Sequence, residues 1–316
     1  MNNKRKILIV NGQSALESNA TGITLSSYLR LLGDDVELME IYFHELHARS
    51  SESSISIQSL RMPEKTFLYN WIFRRLVKRK IINGVNEVIN SGEVIQSIKS
   101  KMLFYLKEFV NTTIESSPVF LNDKHILKEL DYFSPDIIYS LGGANFYLKL
   151  VLKLAKRFDA PIVMHYMDNW IETKYRRFWF QKPADTRMRN LLTRINKLSH
   201  AGIGISSEMA QVYGKRKGIP FYALMNTISR EKIVQIPTIR ETSVFVYAGG
   251  LHLGRYRSLL EIEKALISYN ALYDKKAELR IYMSKKDRDQ YGGLFDAGIT
   301  TFYDYLPHDR VYEAYE

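Results

Sequence analysis

Between Ser243 and Ala265 the chain reads SVFVYAGGLHLGRYRSLLEIEKA, and its hydrophobic period changes midway from that of a strand to that of a helix. Val244, Phe245, Val246 and Tyr247 form a β-branched and aromatic run suited to a buried strand. Gly249, Gly250 and Gly254 then loosen the backbone into a turn, and Leu259, Leu260, Ile262 and Leu266 recur at helical spacing. A strand, a glycine turn and a helix in succession set backbone N–H groups and the positive end of a helix dipole at the carboxyl edge of a sheet. That edge is where α/β proteins bind phosphate. Arg255 and Arg257 fall in this turn, and guanidinium groups beside free amides suit a diphosphate. The alternative is an ordinary strand-to-helix turn with surface arginines, since the GxGxxG order of dinucleotide-binding folds is absent.

The same order opens the chain. Ile7 to Val10 forms a strand, Asn11 to Thr21 a polar loop, and Ile23, Leu25, Tyr28, Leu29 and Leu32 the apolar face of a helix that Gly33 ends before a second strand, Val36 to Met39. The later unit runs likewise from Val244 to a strand at Leu279 to Tyr282. Two such openings in 316 residues predict two α/β domains facing one another. Between them the alternation continues, with strands at Ile137–Ser140, Ile162–Met164 and Gly202–Ile205 and helices at Val94–Val110, Ile126–Leu130, Phe146–Arg157, Arg187–Leu198 and Glu208–Tyr213. The sheet is therefore expected to be mostly parallel. The stretch from Tyr42 to Ser59 is polar and serine-rich and reads as a loop, and Glu231 to Thr242 reads as a linker.

A net charge of +11 favours anionic partners such as nucleotide phosphates, acidic headgroups or nucleic acid. The absence of cysteine excludes disulfides, thiolate metal sites and cysteine catalysis, and fits the cytoplasm. Ile7 to Val10 is too short for a signal-peptide core, and no apolar run approaches the ~20 residues that cross a bilayer, so a soluble or peripheral protein is expected. One segment carries both apolar and basic character. Phe67, Leu68, Trp71, Ile72 and Leu76 form an apolar face, with Arg74, Arg75, Lys78, Arg79 and Lys80 beside it. It reads equally as a helix attracted to an anionic membrane surface or as a packed helix with a solvated basic face.

Taken in order, several segments resemble a GT-B glycosyltransferase, most like the large retaining group known as family 4. ATGITLSSYLRLLGDDVELM is similar to that family's first helix and second strand. SPDIIYSLG, APIVMHYMDNW and GIGISSEMAQVYGKRKGIPFYALMNTIS follow its middle strands, and VYAGGLHLGRYRSLLEIEKAL resembles the opening of its donor domain. The resemblance covers the chain from end to end and departs from the family in three places. Gly250 stands where many relatives have the first arginine of the donor turn. Met167 stands where relatives often have a histidine, with His165 and Asp168 nearby. The chain stops at Glu316, before the segment where the family carries its acidic donor motif, and is expected to be truncated.

The resemblance implies two Rossmann-like domains: residues 1–230 binding the acceptor, a linker over 231–243, and the start of a donor domain over 244–316. It implies a retaining transferase that moves a hexosyl unit from a nucleotide-diphosphate sugar to a cell-envelope saccharide or lipid-linked acceptor, with no other cofactor. Nucleic acid is not an expected partner, because no recognised nucleic-acid module is present. Gly22, Thr21, Gly249, Gly250, Arg255 and Arg257 are then the donor-binding candidates; a capped helix start at Thr21 or Asn19 is the plainer reading of the first pair. Asp168 and His165 are the catalytic candidates, with a helix N-cap and a satisfied core histidine as alternatives. Lys174, Arg176 and Arg177, interleaved with Tyr175, Phe178 and Trp179, would hold a phosphorylated acceptor or form a solvated face. Asp287-Arg288-Asp289 reads as surface charge, and His44 and His47 lack companion ligands, so no metal is expected. A second reading, from another class, is a non-catalytic GT-B-like subunit that binds a membrane or a partner protein.

Overall fold

The computed structural model describes residues 4–16, 20–43, 56–62, 98–225, 243–251, 254–273, 276–307, 310–311 and 314. The basic segment carrying Trp71, Arg74, Arg75, Lys78, Arg79 and Lys80, the linker, and His44 and His47 lie outside them. The chain divides into two units, Met1–Thr227 and Ile228–Glu316.

The first unit runs β1 (Arg5–Val10), α1 (Ala20–Leu31), β2 (Val36–Tyr42), β3 (Ile57–Arg61), α2 (Ile98–Glu115), α3 (Lys124–Phe133), β4 (Ile137–Ser140), α4 (Asn145–Phe158) and β5 (Ile162–Tyr166). It continues through a single turn, α5 (Trp170–Thr173), to α6 (Lys182–Asn196), β6 (Ala201–Gly204), α7 (Ser207–Lys217) and β7 (Phe221–Ala223). The strands make one sheet in the order β3-β2-β1-β4-β5-β6-β7. Among the described residues every strand pairing is parallel. β1 pairs on both sides, Ile7 with Leu38 of β2 and with Ile137 of β4, so the chain reverses its direction of travel across the sheet there.

Alternation along β1 divides the core. Leu8 and Val10 join Met39, Ile41, Leu148, Leu150 and Leu154 on one face, and Ile9 joins Leu25, Leu29 and Leu38 on the other. A sheet covered by helices on both faces needs apolar residues at nearly every strand position. The helix ends carry matching signals. Asp123 caps α3 through the N–H groups of His125 and Ile126, Ser206 caps α7 through that of Met209, and Pro183 sits in the first turn of α6.

The second unit contains β8 (Ser243–Ala248), α8 (Arg255–Tyr273), β9 (Ala277–Met283), α9 (Lys285–Tyr291) and β10 (Thr300–Asp304), with sheet order β10-β9-β8, again parallel. Leu251, Leu259, Leu266, Leu279, Ile281 and Met283 form its core.

Where the structure departs from the sequence-based expectation, polar residues are the reason. β2 continues past Met39 to Tyr42 because Glu40 is buried rather than marking the strand's end. β3 begins inside the serine-rich stretch read as a loop and runs past its end, as an edge strand whose Ser59 hydroxyl donates to Glu40 at 2.7 Å. α8 begins at Arg255, four residues before its first buried leucine, so both arginines belong to its first turn.

Two elements approach closely at Gly204, where an added β-carbon would lie 2.8 Å from the amide nitrogen of Ala210 in α7. Backbone has no rotamer by which to yield. Gly204→Ala is therefore expected to destabilise the protein by about 1–3 kcal/mol in equilibrium urea denaturation, with an unchanged dependence on denaturant.

Candidate functional site

The reversal of strand order at β1 and β4 creates a crevice at the carboxyl edge of the sheet, the usual ligand position in this architecture. Its walls are the segments that follow the two strands. Asn11, 3% exposed, accepts a hydrogen bond from the N–H of Leu141 at 2.9 Å. Ser140, fully buried, donates to the Val10 carbonyl at 2.6 Å and accepts from the Gly142 N–H at 3.0 Å. The turn after β4 needs glycine twice over. Gly142 and Gly143 have φ of +71° and +92°, and a β-carbon on Gly142 would stand 2.7 Å from the Trp170 ring.

The turn after β1 is fixed by a residue that the sequence reading passed over. Glu40 of β2 is 1% exposed, and its carboxylate accepts from the Ser14 hydroxyl at 2.6 Å, the Ala15 N–H at 2.7 Å and the Ser59 hydroxyl at 2.7 Å. Charge-assisted bonds of this kind are short and strong. An acid flanked by apolar residues in LMEIY was the available signal. α1 begins at Ala20, so Thr21 and Gly22 lie within its first turn at this edge, and Thr21 is not the residue before the helix.

The other candidates sort by burial. His165 is fully buried in β5; its Nδ1 lies 2.6 Å from the Tyr139 hydroxyl, with the Tyr28 ring 5.5 Å away. Burial pushes its pKa down to about 4, so it is a neutral core histidine without access to a substrate. Asp168 is exposed just beyond β5, and its Oδ1 accepts from the Trp170 N–H at 3.0 Å; the residue before α5 is Asn169, so Asp168 is not its N-cap. Beside it, Asn169 accepts from the Tyr213 hydroxyl at 2.8 Å.

The basic group beyond α5 is internally committed. Lys174 pairs with Glu115 at 2.9 Å, and Arg176 with Glu172 at 2.7 Å. The Arg177 guanidinium lies over the Phe104 ring, 4.7 Å from its centre. Glu172 also binds Arg216 at 2.6 Å; burial opposes its ionisation, and the Arg216 bond with the charges of Arg176 and Arg189 prevails and holds its pKa low. Tyr175, interleaved with the cations read as an acceptor site or a solvated face, is 4% exposed with φ of +59°, and its hydroxyl accepts from the N–H of Asn145 at the start of α4.

In the second unit, part of the glycine turn's hydrogen-bonding capacity is already used. The Gly249 N–H donates to Tyr282 O at 3.0 Å, and the Gly250 carbonyl accepts from the Tyr247 hydroxyl at 2.9 Å. The Leu251 N–H donates to Asp287 at 3.3 Å, and Arg288 pairs with Asp304, so the acidic run at 287–289 serves the local fold. Arg255 and Arg257 are both exposed in the first turn of α8, Gly254 supplies the +79° φ that precedes it, and the Arg257 Nε donates to the Tyr256 hydroxyl at 3.1 Å. No group of three His, Asp or Glu residues able to hold a metal occurs among the described residues.

No family model matches the sequence, and no curated protein matches it. Solved structures match in fold. TarM, a GT-B glycosyltransferase, superposes with a TM-score of 0.53 at 9% identity, over 96% of this chain and 77% of that one. Alr3699/HepE of Anabaena, solved with UDP and glucose, gives 0.48 at 12% identity over 96% and 70%. UGT89C1 of Arabidopsis thaliana, complexed with UDP-L-rhamnose, gives 0.47 at 10% identity over 97% and 71%. The chain thus has a GT-B, glycosyltransferase-like fold, α/β and Rossmann-like, with mostly parallel sheets.

The burial of His165 has a titration consequence. Between its ordinary value of 6.5 and about 4 the folded protein binds fewer protons than the unfolded chain. Its contribution to stability is therefore full above pH 6.5 and is lost on acidification towards pH 4, by about 1.4 kcal/mol per pH unit at most. His165→Gln should remove this component. The stability difference between parent and variant, from denaturant titrations at pH 7 and pH 4, is expected to change by about 2–3 kcal/mol in that direction.

Proposed function

We propose that the protein is a glycosyltransferase that takes a sugar from a nucleotide-diphosphate donor and passes it to a cell-envelope saccharide or lipid-linked acceptor. The observation that carries this reading is the GT-B fold shared with TarM over 96% of the chain. A fold hosts many functions, so the local chemistry must agree with it. In support, two guanidinium groups stand exposed in the first turn of α8, beyond a left-handed glycine, where the helix dipole adds to their charge. As the bond from the anomeric carbon to the donor phosphate breaks, negative charge grows on the leaving diphosphate. Arg255 and Arg257, fixed in advance on a helix end, stabilise that charge more than they stabilise the bound donor.

Asp168 is assigned the other half of the reaction, orienting the acceptor hydroxyl or the donor sugar from the carboxyl end of β5. The resemblance adds retention of the anomeric configuration, with the donor phosphate taking the acceptor's proton on the same face. Peripheral attachment to a membrane, on its cytoplasmic face, would bring a lipid-linked acceptor within reach; no helix among the described residues is long and apolar enough to span one.

One observation favours a second reading, a GT-B-like subunit that binds no donor. The Gly249 and Leu251 amides, which would face a phosphate, already bond Tyr282 and Asp287. Calorimetry of the full chain with UDP and TDP separates the two. The enzyme binds one of them, and Arg255→Ala/Arg257→Ala weakens that binding by about 1.5–3 kcal/mol, the range of hydrogen bonds to charged groups. Asp168→Asn keeps a side-chain oxygen for the Trp170 N–H and is expected to lower turnover while leaving nucleotide affinity unchanged. Unaltered affinity in the double variant removes the arginines from the site, and failure of both nucleotides to bind favours the non-catalytic subunit.

A further inference from the structure

One surface of the first unit concentrates positive charge. α4 presents Lys149, Lys153 and Lys156 at four- and three-residue intervals, which places them on one face, and α6, packed beside it, presents Arg187 and Arg194. These five side chains line a cleft of about 670 Å³ that residues 116–120 close on one side. Val119, Leu152 and Leu191 give it an apolar wall. Among the described residues no carboxylate lines it: α4 contains no acid, and the one acid of α6, Asp185, pairs with Arg189 at 3.2 Å.

Part of this charge has a local use. The Lys149 ammonium donates to the carbonyls of Ser116 and Ser117 at 2.7 and 2.8 Å, Arg187 to that of Ser116 at 3.2 Å, and Lys153 to that of Val119. These bonds satisfy carbonyls left open just beyond the end of α2. A helix end carries about half a negative charge, far less than the five cations bring. Lys156 and Arg194 make no hydrogen bond or ion pair among the described residues, and both are exposed. Burial first, and then the charges of Arg187 and Lys153, hold the Lys149 pKa down at about 8.

We propose that this cleft is a binding site for a phosphate-bearing anion, held by Lys153, Lys156 and Arg194, with any apolar portion against Val119 and Leu191. Its volume lies in the range of small-ligand sites, which is roughly 300–1,000 Å³. The guanidinium fork of Arg194 matches two phosphate oxygens at once, and the lysines add point charges that a single carboxylate would leave uncompensated. The assignment is independent of the sugar-transfer reading, since it uses none of that site's residues.

The test is calorimetry of the full chain with inorganic pyrophosphate at low and high salt, beside sedimentation with vesicles of phosphatidylcholine alone or with added phosphatidylglycerol. Lys156→Gln/Arg194→Gln leaves in place all three charges, Lys149, Lys153 and Arg187, that support the segment after α2 through hydrogen bonds. Arg30→Gln/Lys215→Gln removes the same charge from exposed positions elsewhere in the unit and serves as control. The cleft variant is expected to bind pyrophosphate about tenfold more weakly, as losing one to two charge-assisted bonds implies, and the control within about twofold of the parent. If only the acidic vesicles bind, and the cleft variant releases them while the control does not, the site stands and its phosphate belongs to a lipid headgroup. Equal affinity of parent and cleft variant, equal weakening by the control, or no binding of either probe overturns the proposal.

Discussion

The crevice at the carboxyl edge depends on a single buried carboxylate. The Glu40 carboxyl is 1% exposed, and among the described residues no cation pairs with it. A polar group deprived of water must be repaid in hydrogen bonds, and Glu40 obtains them from two hydroxyls and an amide contributed by the turn after β1 and by β3. The turn after β1 and the edge strand β3 are thus tied to one point on β2. Removing the acid would leave the serine hydroxyls and the Ala15 N–H without their acceptor, which is costlier than never having placed them there. The second unit repeats the device. Glu263 of α8, 5% exposed, accepts from the Asp296 N–H at 2.9 Å and from the Thr300 hydroxyl, fixing the connection into β10.

These anchors matter because a parallel sheet supplies so little at its edges. Each strand must be followed by a crossover, so all carboxyl ends lie together and every loop that shapes the crevice leaves from there. β1 is paired on both sides and its Asn11 and Val10 groups are cross-linked to Leu141 and Ser140, which makes the floor of the crevice rigid. The specificity of such an edge comes from side chains on loops, held by a scaffold that does not itself react.

Legibility in the sequence followed burial. ILIV was readable as a strand because periodicity and composition agreed, and the helices of the first unit were placed by their apolar faces; VFVY is a strand as expected but not a buried one, since β8 ends its sheet and Phe245 is 48% exposed. β3, β7 and β10 were not, because they are short and carry serine, tyrosine and threonine at positions where an edge strand tolerates them. Charged residues were read as solvent-facing or as ligand-facing, and the structure shows a third use. Glu40, Lys174 and Glu172 bind other parts of the same chain, pairings that join residues distant in sequence and leave no local pattern. His165 was ambiguous for the same reason, since an alternating strand does not announce which face is covered.

Tyr175 joins two demands that no residue type meets together. Its backbone is left-handed, a conformation that costs a bulky side chain about 1–3 kcal/mol and a glycine almost nothing. Its ring is buried and its hydroxyl holds the first amide of α4, contributions that a glycine would forfeit. Relief of strain and retention of the phenol are therefore mutually exclusive at this position. Any single replacement trades one deficit for another, so improvement there requires simultaneous change in the loop and in the helix it supports.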